Sequence, residues 1–235
     1  MAPHWLRVLA LLAVLSTPAA QASGLGLGSR SSKDHEQVVA LYRRGRHAAA
    51  LALGQGVLEA YRREHGPGHS LVGSILSDLA MIRLALKEEV QAERLLQEAL
   101  AIYERADGPE HPHVGMVLNN LGWLCESRGE TQRAEPLYRR ALAILEKSPA
   151  AGAETAAALS NLAALRFGRR DYAEAASLYR RSLEILRGQP KRDAEALAQA
   201  LENLAVVYAE MGDAREAALA RAQLAEVKKR PSPAR

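Results

Sequence analysis

Cysteine is almost missing from this sequence of 235 residues, in which Cys125 is the only one. A single cysteine excludes a disulfide within the chain and a zinc site built from cysteines. Aromatic residues make up only 4% of the sequence, and no alternating run of β-branched and aromatic residues indicates a strand. The apolar residues are mostly alanine and leucine, which favour helices. We therefore predict an all-α protein that is stabilised by packing alone.

Neither sign of charge dominates, because 31 Lys and Arg residues face 27 Asp and Glu residues and give a net charge of +4. The two signs are mixed along the chain, so the sequence has no basic region typical of nucleic-acid binding. Phosphate-binding loops, nucleophile elbows and zinc-protease motifs are missing as well. We expect no enzyme activity, no cofactor, no small-molecule substrate and no nucleic-acid partner.

The first 22 residues have the layout of a secretory signal peptide. Arg7 provides a positive charge, residues 8–15 form a short apolar core, and Ala20-Gln21-Ala22 fits a cleavage site. The apolar run is shorter than the roughly 20 residues that span a bilayer. We expect cleavage after Ala22 and a periplasmic or secreted protein. An uncleaved signal that anchors the chain in a membrane is the alternative.

Internal repeats organise the rest of the chain. A triplet of a polar residue, leucine and a small residue recurs every 41 or 42 residues, and another alanine follows twelve residues after each small residue. The triplets are Asp78-Leu79-Ala80, Asn120-Leu121-Gly122, Asn161-Leu162-Ala163 and Asn203-Leu204-Ala205. The connectors repeat too, since Pro67, His69 and Val72 recur as Pro109, His111 and Val114. A fixed period of this kind is typical of a helical repeat protein.

Each repeat is predicted to be a pair of helices. Between 111 and 127 the apolar residues follow the spacing of one helical face, and Gly129 then provides a turn. A second helix is predicted at about 131–147, with Pro136 within about its first turn, where proline is tolerated. The predicted organisation is a linker at 23–32, repeats at about 34–65, 69–105, 111–147, 152–187 and 192–229 within an array over 33–230, and a disordered tail at 231–235.

These triplets, alanines and turn glycines resemble the tetratricopeptide repeat. The long period, "AEPLYRRALAI" at 134–144 and "GPEHPHV" at 108–114 resemble its kinesin light chain subclass. The resemblance is good over 69–187, looser over 192–229 and degenerate over 34–65. It implies a right-handed superhelical solenoid of antiparallel helix pairs. Arg221 stands where earlier repeats have Leu96, Tyr138 or Tyr179, which is typical of a terminal repeat with a polar outer face.

The resemblance also implies a binding surface. In tetratricopeptide proteins the first helix of each repeat lines a concave groove, and asparagines at the first triplet position bind the backbone of an extended peptide in kinesin light chain-like proteins. An amide both donates and accepts, so it can satisfy a peptide unit. The candidate contact residues are therefore Asp78, Met81, Asn119, Asn120, Trp123, Asn161 and Asn203. Bonds between neighbouring helices are the alternative role of the asparagines, and packing is the alternative role of Trp123.

The connector histidines His65, His69, His111 and His113 are candidate metal ligands. His69 and His111 occupy the same position of successive connectors, where the resemblance has a His-Pro pair, and Pro112 suits a helix start. We expect a structural role for these histidines and no metal. Cys125 is expected to be a small buried residue rather than a reactive thiol.

The function predicted from the sequence is a non-catalytic scaffold that binds an extended segment of a protein or peptide partner in its groove. The alternative is a structural subunit of an envelope assembly or of a self-associating stack. A membrane partner is expected only if the signal is not cleaved.

Overall fold

The computed structural model describes residues 30–189 and 193–229. The predicted signal peptide at 1–22, most of the linker and the tail at 231–235 lie outside the described residues. Within these ranges the chain forms ten α-helices and one short 3-10 helix, and none of these residues is in a strand. None of the described helices combines the length and the apolar character that crossing a membrane requires.

The helices follow the predicted pairing. The first hairpin is α1 (Arg30–Arg43) and α2 (His47–His65), and the second is α3 (Ser70–Ala85) and α4 (Glu89–Ala106). The third is α5 (Pro112–Ser127) and α6 (Thr131–Leu145), and the fourth, after a 3-10 helix at Pro149–Ala151, is α7 (Gly152–Gly168) and α8 (Tyr172–Gly188). The last is α9 (Ala194–Glu210) and α10 (Ala214–Lys229). The linker prediction of 23–32 was too long, because residues 30–32 belong to α1 and Ser31 and Ser32 are buried.

The five hairpin turns share one backbone geometry. In each turn a residue with positive φ donates its amide to the carbonyl three residues earlier, and the next amide reaches back five residues. This pattern satisfies the carbonyls at the end of the first helix. The positive-φ residues are Gly45, Lys87, Gly129, Arg170 and Gly212. Three of the turns thus have the predicted glycine. The other two, at Lys87 and Arg170, have the same geometry without glycine and were missed by the sequence pattern.

Two compact bodies are recognised in the chain, and they divide within α5. The N-terminal body comprises described residues 30–124, in which α1 packs on α2, α2 on α3 and α3 on α4. Its core includes the fully buried Tyr61, Ile75, Leu96 and Tyr103. Glycine allows one close approach, because a Cβ at Gly73 would lie 3.0 Å from the ring of Tyr103, nearer than an ordinary van der Waals contact.

The C-terminal body comprises described residues 125–189 and 193–229, in which α6 to α10 pack in sequence. Ala134, Ala141 and Tyr138 of α6 are fully buried, while Arg221 of α10 is exposed, as predicted for the last repeat. Pro136 lies beyond the first turn of α6 rather than within it, so the helix loses one internal hydrogen bond there.

Candidate peptide-binding surface

The candidate contact residues of the N-terminal body lie on α3 and α5, the first helices of their hairpins. Asn119 and Asn120 are buried as whole residues, whereas Trp123 is half-buried one helical turn further along α5. The side-chain amide of Asn120 makes no hydrogen bond with the described residues. Its polar atoms are not fully buried, so they keep some access to solvent. Asn120 and Trp123 lie three residues apart and therefore share one face of α5.

Asp78 occupies the same repeat position but is engaged inside the N-terminal body. Its side chain is 1% exposed, and its Oδ2 lies 2.7 Å from Nε2 of His35. His35 Nδ1 in turn lies 3.2 Å from the hydroxyl of Tyr61, so that Asp78, His35 and Tyr61 form one buried network between α3, α1 and α2. Met81 is buried as well. Asp78 is therefore not part of the proposed contact set, and the contact role of Met81 stays a prediction.

In the C-terminal body, Asn161 of α7 and Asn203 of α9 have little exposed surface. The Oδ1 of Asn203 accepts a hydrogen bond of 3.1 Å from Gln199 on the same helix. The residue before Asn161 has a different role, because the Ser160 hydroxyl lies 2.9 Å from the Ser182 hydroxyl, which donates to the carbonyl of Ala156. Ser160 thus helps to hold α7 against α8. The contact roles of Asn161 and Asn203 stay predictions.

A buried arginine on α7 was missed by the sequence analysis. The Nη2 of Arg166 lies 2.6 Å from Oε1 of Glu135 on α6, and its Nε lies 3.2 Å from Oε2 of Glu174 on α8. Burial tends to raise the pKa of Glu135, but the hydrogen bond from Arg169 and the nearby arginine charges outweigh it and hold that pKa below its usual value. This network joins two successive hairpins.

A repeat signal for Arg166 does exist in the sequence. Arg166 follows Asn161 by five residues, just as Arg83 follows Asp78, and each arginine has an acidic residue five positions later. In the structure Arg83 pairs with Glu88, and Arg166 lies 3.9 Å from Asp171. The shared position indicates that these arginines hold the hairpin turns of their repeats.

Glu126 on α5 forms a second polar contact within the C-terminal body. The hydroxyl of Tyr138 donates a hydrogen bond of 2.7 Å to Oε2 of Glu126. Burial raises the pKa of Glu126, and burial together with the Glu126 charge raises the pKa of Tyr138. Cys125 beside it is buried, in agreement with the sequence analysis.

The connector histidines cap helices, as their repeated position suggested. His69 Nδ1 accepts a hydrogen bond from the Leu71 amide at the start of α3, and His111 Nδ1 accepts one from the His113 amide at the start of α5. Asp107 adds contacts that the sequence did not reveal, since it bonds the Ser70 hydroxyl and lies 2.8 Å from His113 Nδ1. Burial raises the pKa of Asp107, but these bonds and the two histidines bring it below its usual value.

Comparison with known proteins agrees with this repeat geometry. The family model described as "Tetratricopeptide repeat" matches residues 31–105, 71–147 and 154–229. A search of curated protein sequences found no significant match.

Solved structures of kinesin light chain-like proteins show the same fold. The crystal structure of BtubC (BKLC) from P. vanneervenii is 22% identical over 99% of this chain and 96% of that chain, with a TM-score of 0.71. A putative kinesin light chain from Podosopora anserina is 20% identical over 85% of this chain and 94% of that chain, with a TM-score of 0.64. MamA is more distant, at 15% identity over 86% and 96% of the two chains and a TM-score of 0.55. The predicted all-α helical repeat fold is confirmed.

Proposed function

Since this chain belongs to the tetratricopeptide repeat family and its repeats resemble those of kinesin light chains, we propose that it binds an extended segment of a partner protein along the first helices of its hairpins. Repeats of this family typically mediate contacts between proteins and are not catalytic. The observation that carries the proposal is the recurrence of asparagine at one helix position, in Asn120, Asn161 and Asn203. We propose a scaffold without catalytic activity.

The chemistry of these positions supports binding to a peptide backbone. Each amide offers a donor and an acceptor, and a peptide unit needs one of each. The side-chain amide of Asn120 makes no hydrogen bond with the described residues, and the bond from Gln199 to Asn203 can be exchanged for one from a ligand at small net cost. Recognition through the backbone would tolerate many partner sequences.

Trp123 is proposed to add side-chain specificity. It is half-buried and lies on the same face of α5 as Asn120. A partly exposed indole beside a hydrogen-bonding amide can cover an apolar side chain of the peptide, and tryptophan is enriched among residues that dominate binding energy. Asn119 lies four residues before Trp123 on α5, so the two side chains are neighbours on the helix surface, and Asn119 completes the proposed contact set.

The proposed place of action is the periplasm or the outside of the cell. The support is the signal-peptide pattern of residues 1–22, in which a positive charge is followed by a short apolar core and then by small residues that fit a cleavage site. An export signal directs the search for a partner to other exported proteins.

The test of the function compares two triple variants of the full chain. Crosslinked co-purification from the native host first identifies a partner, and a synthetic peptide from its crosslinked segment then serves as the probe. Changing Asn120, Asn161 and Asn203 to alanine should abolish peptide binding and leave the melting temperature nearly unchanged. Changing the exposed Gln132, Arg180 and Glu184 of the second helices to alanine is the matched control and should leave binding intact. Equal affinity in both variants would show that the peptide binds elsewhere.

Self-association is a second candidate, which the last hairpin favours. Val206 of α9, Met211 of the turn that follows and Leu219 of α10 are 39%, 44% and 45% exposed, which is high for large apolar residues. A second copy that covered them would extend the stack of repeats. Sedimentation of the purified chain over a range of concentrations decides this, because a monomer at every concentration contradicts self-association.

A further inference from the structure

Three metal-ligating side chains meet in the connector between α4 and α5. Asp107 Oδ2 lies 2.8 Å from His113 Nδ1 and 3.7 Å from His111 Nδ1, and the three ligand atoms all lie within 4.8 Å of one another. All three residues belong to the N-terminal body. The sequence predicted a structural role without metal for these histidines, but it did not show that Asp107 joins two of them. We propose that Asp107, His111 and His113 form a binding site for a divalent late first-row transition-metal ion, with Zn²⁺ as the representative ion.

The donor set fits such an ion. Two imidazole nitrogens and one carboxylate oxygen are ligands that zinc and its neighbours accept, whereas magnesium and calcium prefer oxygen alone. In a tetrahedral site with bonds of about 2.0 Å the ligand atoms are about 3.3 Å apart. The two observed distances lie on either side of this value, so small rotations of the side chains bring the ligands into place. The remaining coordination position would hold water.

The surroundings orient the ligands without closing the site. The Ser70 hydroxyl donates to Oδ1 of Asp107, which leaves Oδ2 directed toward the histidines. A hydrogen bond of this kind to the ligating group is a common feature of metal sites. The His111 side chain is 38% exposed, so that an ion can enter from solvent. The ion would replace the bond from the His113 amide to His111 Nδ1, which limits the affinity.

The preceding connector supplies an internal comparison. His69 caps α3 through Nδ1 in the same way that His111 caps α5. The residues at the positions of Asp107 and His113 are His65 and Leu71 in that connector. The capping role therefore requires only the first histidine. Asp107 and His113 add two ligands that the cap does not need, and they distinguish the proposed site from an ordinary capped connector.

The test titrates the untagged full chain with Zn²⁺ in a calorimeter and with Co²⁺ in an absorption spectrometer. The wild type should bind one equivalent of Zn²⁺, and bound Co²⁺ should show visible bands of four-coordinate geometry. His111→Asn keeps a side chain that caps helices well but loses the imidazole ligand. His113→Leu introduces the residue that the preceding connector already carries. Each change should weaken binding at least about 10-fold.

His69→Asn is the matched control, because it alters an equivalent cap outside the proposed ligand set. It should bind Zn²⁺ as the wild type does, and circular dichroism without metal should show that all three variants are folded. If His113→Leu does not fold, His111→Asn decides alone. The proposal is overturned if the wild type shows no saturable binding of one equivalent, or if His111→Asn retains the wild-type affinity.

Discussion

The hydroxyl of Tyr138 donates a hydrogen bond of 2.7 Å to the carboxylate of Glu126, inside the C-terminal body. Burial raises the pKa of Glu126 above its usual value of 4.5 by more than the bond from Tyr138 lowers it. Between the usual and the raised pKa the folded protein holds a proton that the unfolded chain has released. The contribution of Glu126 to stability is therefore present below pH 4.5 and is lost as the pH rises through the folded pKa.

Glu126→Gln tests this sign. Glutamine cannot ionise, and its carbonyl oxygen can still accept the hydrogen bond from Tyr138. The free energy of unfolding of the variant minus that of the wild type should therefore be larger at pH 7 than at pH 4, because only the wild type loses stability as the pH rises. Urea unfolding of both proteins at the two pH values provides the comparison. A relative stability that does not change with pH, or that changes in the opposite direction, contradicts the raised pKa.

Arg166→Met should destabilise the C-terminal body. The side chain of Arg166 is 9% exposed, and its loss leaves the buried part of the Glu135 and Glu174 network without its central cation. Breaking a largely buried ion pair from one side costs about 2–4 kcal/mol. Arg139→Met is the matched control, because Arg139 also contacts Glu135 at 2.8 Å but its side chain is 62% exposed. That change should cost less than about 0.5 kcal/mol. If urea unfolding shows that both variants lose the same free energy of unfolding, burial does not determine how much each ion pair contributes to stability.

Much of the fold could be predicted because the repeat marks its own boundaries. The third hairpin was predicted at 111–127 and 131–147, and it is observed at Pro112–Ser127 and Thr131–Leu145. Helical spacing and the glycine after the first helix are local signals, so no tertiary information was needed. The start of the first helix was not predicted correctly, because no local sequence signal distinguishes Ser31 and Ser32 of α1 from a linker.

The site was harder to predict because its chemistry depends on residues far apart in the chain. Asp78 has the repeat position of the asparagines, yet His35 and Tyr61, at 43 and 17 residues' separation, turn it into a buried network. Repeat position alone could not show this. The Asp107 cluster likewise needs Ser70, which lies 37 residues away and is brought close only by helix packing.

Arg170→Gly should stabilise the protein. Arg170 has φ of +66°, the same turn conformation that glycine adopts at Gly129 with φ of +77°. A residue with a Cβ is strained in this region, and glycine is not, although glycine is more flexible in the unfolded chain. Arg170 is exposed, so little contact is lost. We expect the free energy of unfolding, measured with urea, to rise by about 0.5–1 kcal/mol.

The reverse change provides the control for that prediction. Gly129→Ala places a Cβ at a position where no atom lies within 4 Å, so the backbone conformation alone determines its effect. It should lower the free energy of unfolding by about 1 kcal/mol. If both substitutions are neutral, the positive-φ turns are not strained.

Asp78→Ala should destabilise the N-terminal body and so distinguish Asp78 from the asparagines at the same repeat position. Removal of the carboxylate leaves the ring of His35, which is fully buried, without its bond to Oδ2. An unsatisfied buried polar group of this kind costs about 1–3 kcal/mol, and loss of a charged partner adds to it. Tyr61→Phe removes only the other end of the network, between Tyr61 and His35, and should cost about 1 kcal/mol.

The comparison with Asn120→Ala makes the test specific. Asn120 has the corresponding position on α5, but its side-chain amide makes no hydrogen bond with the described residues, so its replacement should change the free energy of unfolding by less than about 0.5 kcal/mol. Thermal and urea unfolding of the three single variants measure this order. Should Asp78→Ala prove as mild as Asn120→Ala, the buried network does not stabilise the fold, and Asp78 returns to the set of residues available for binding.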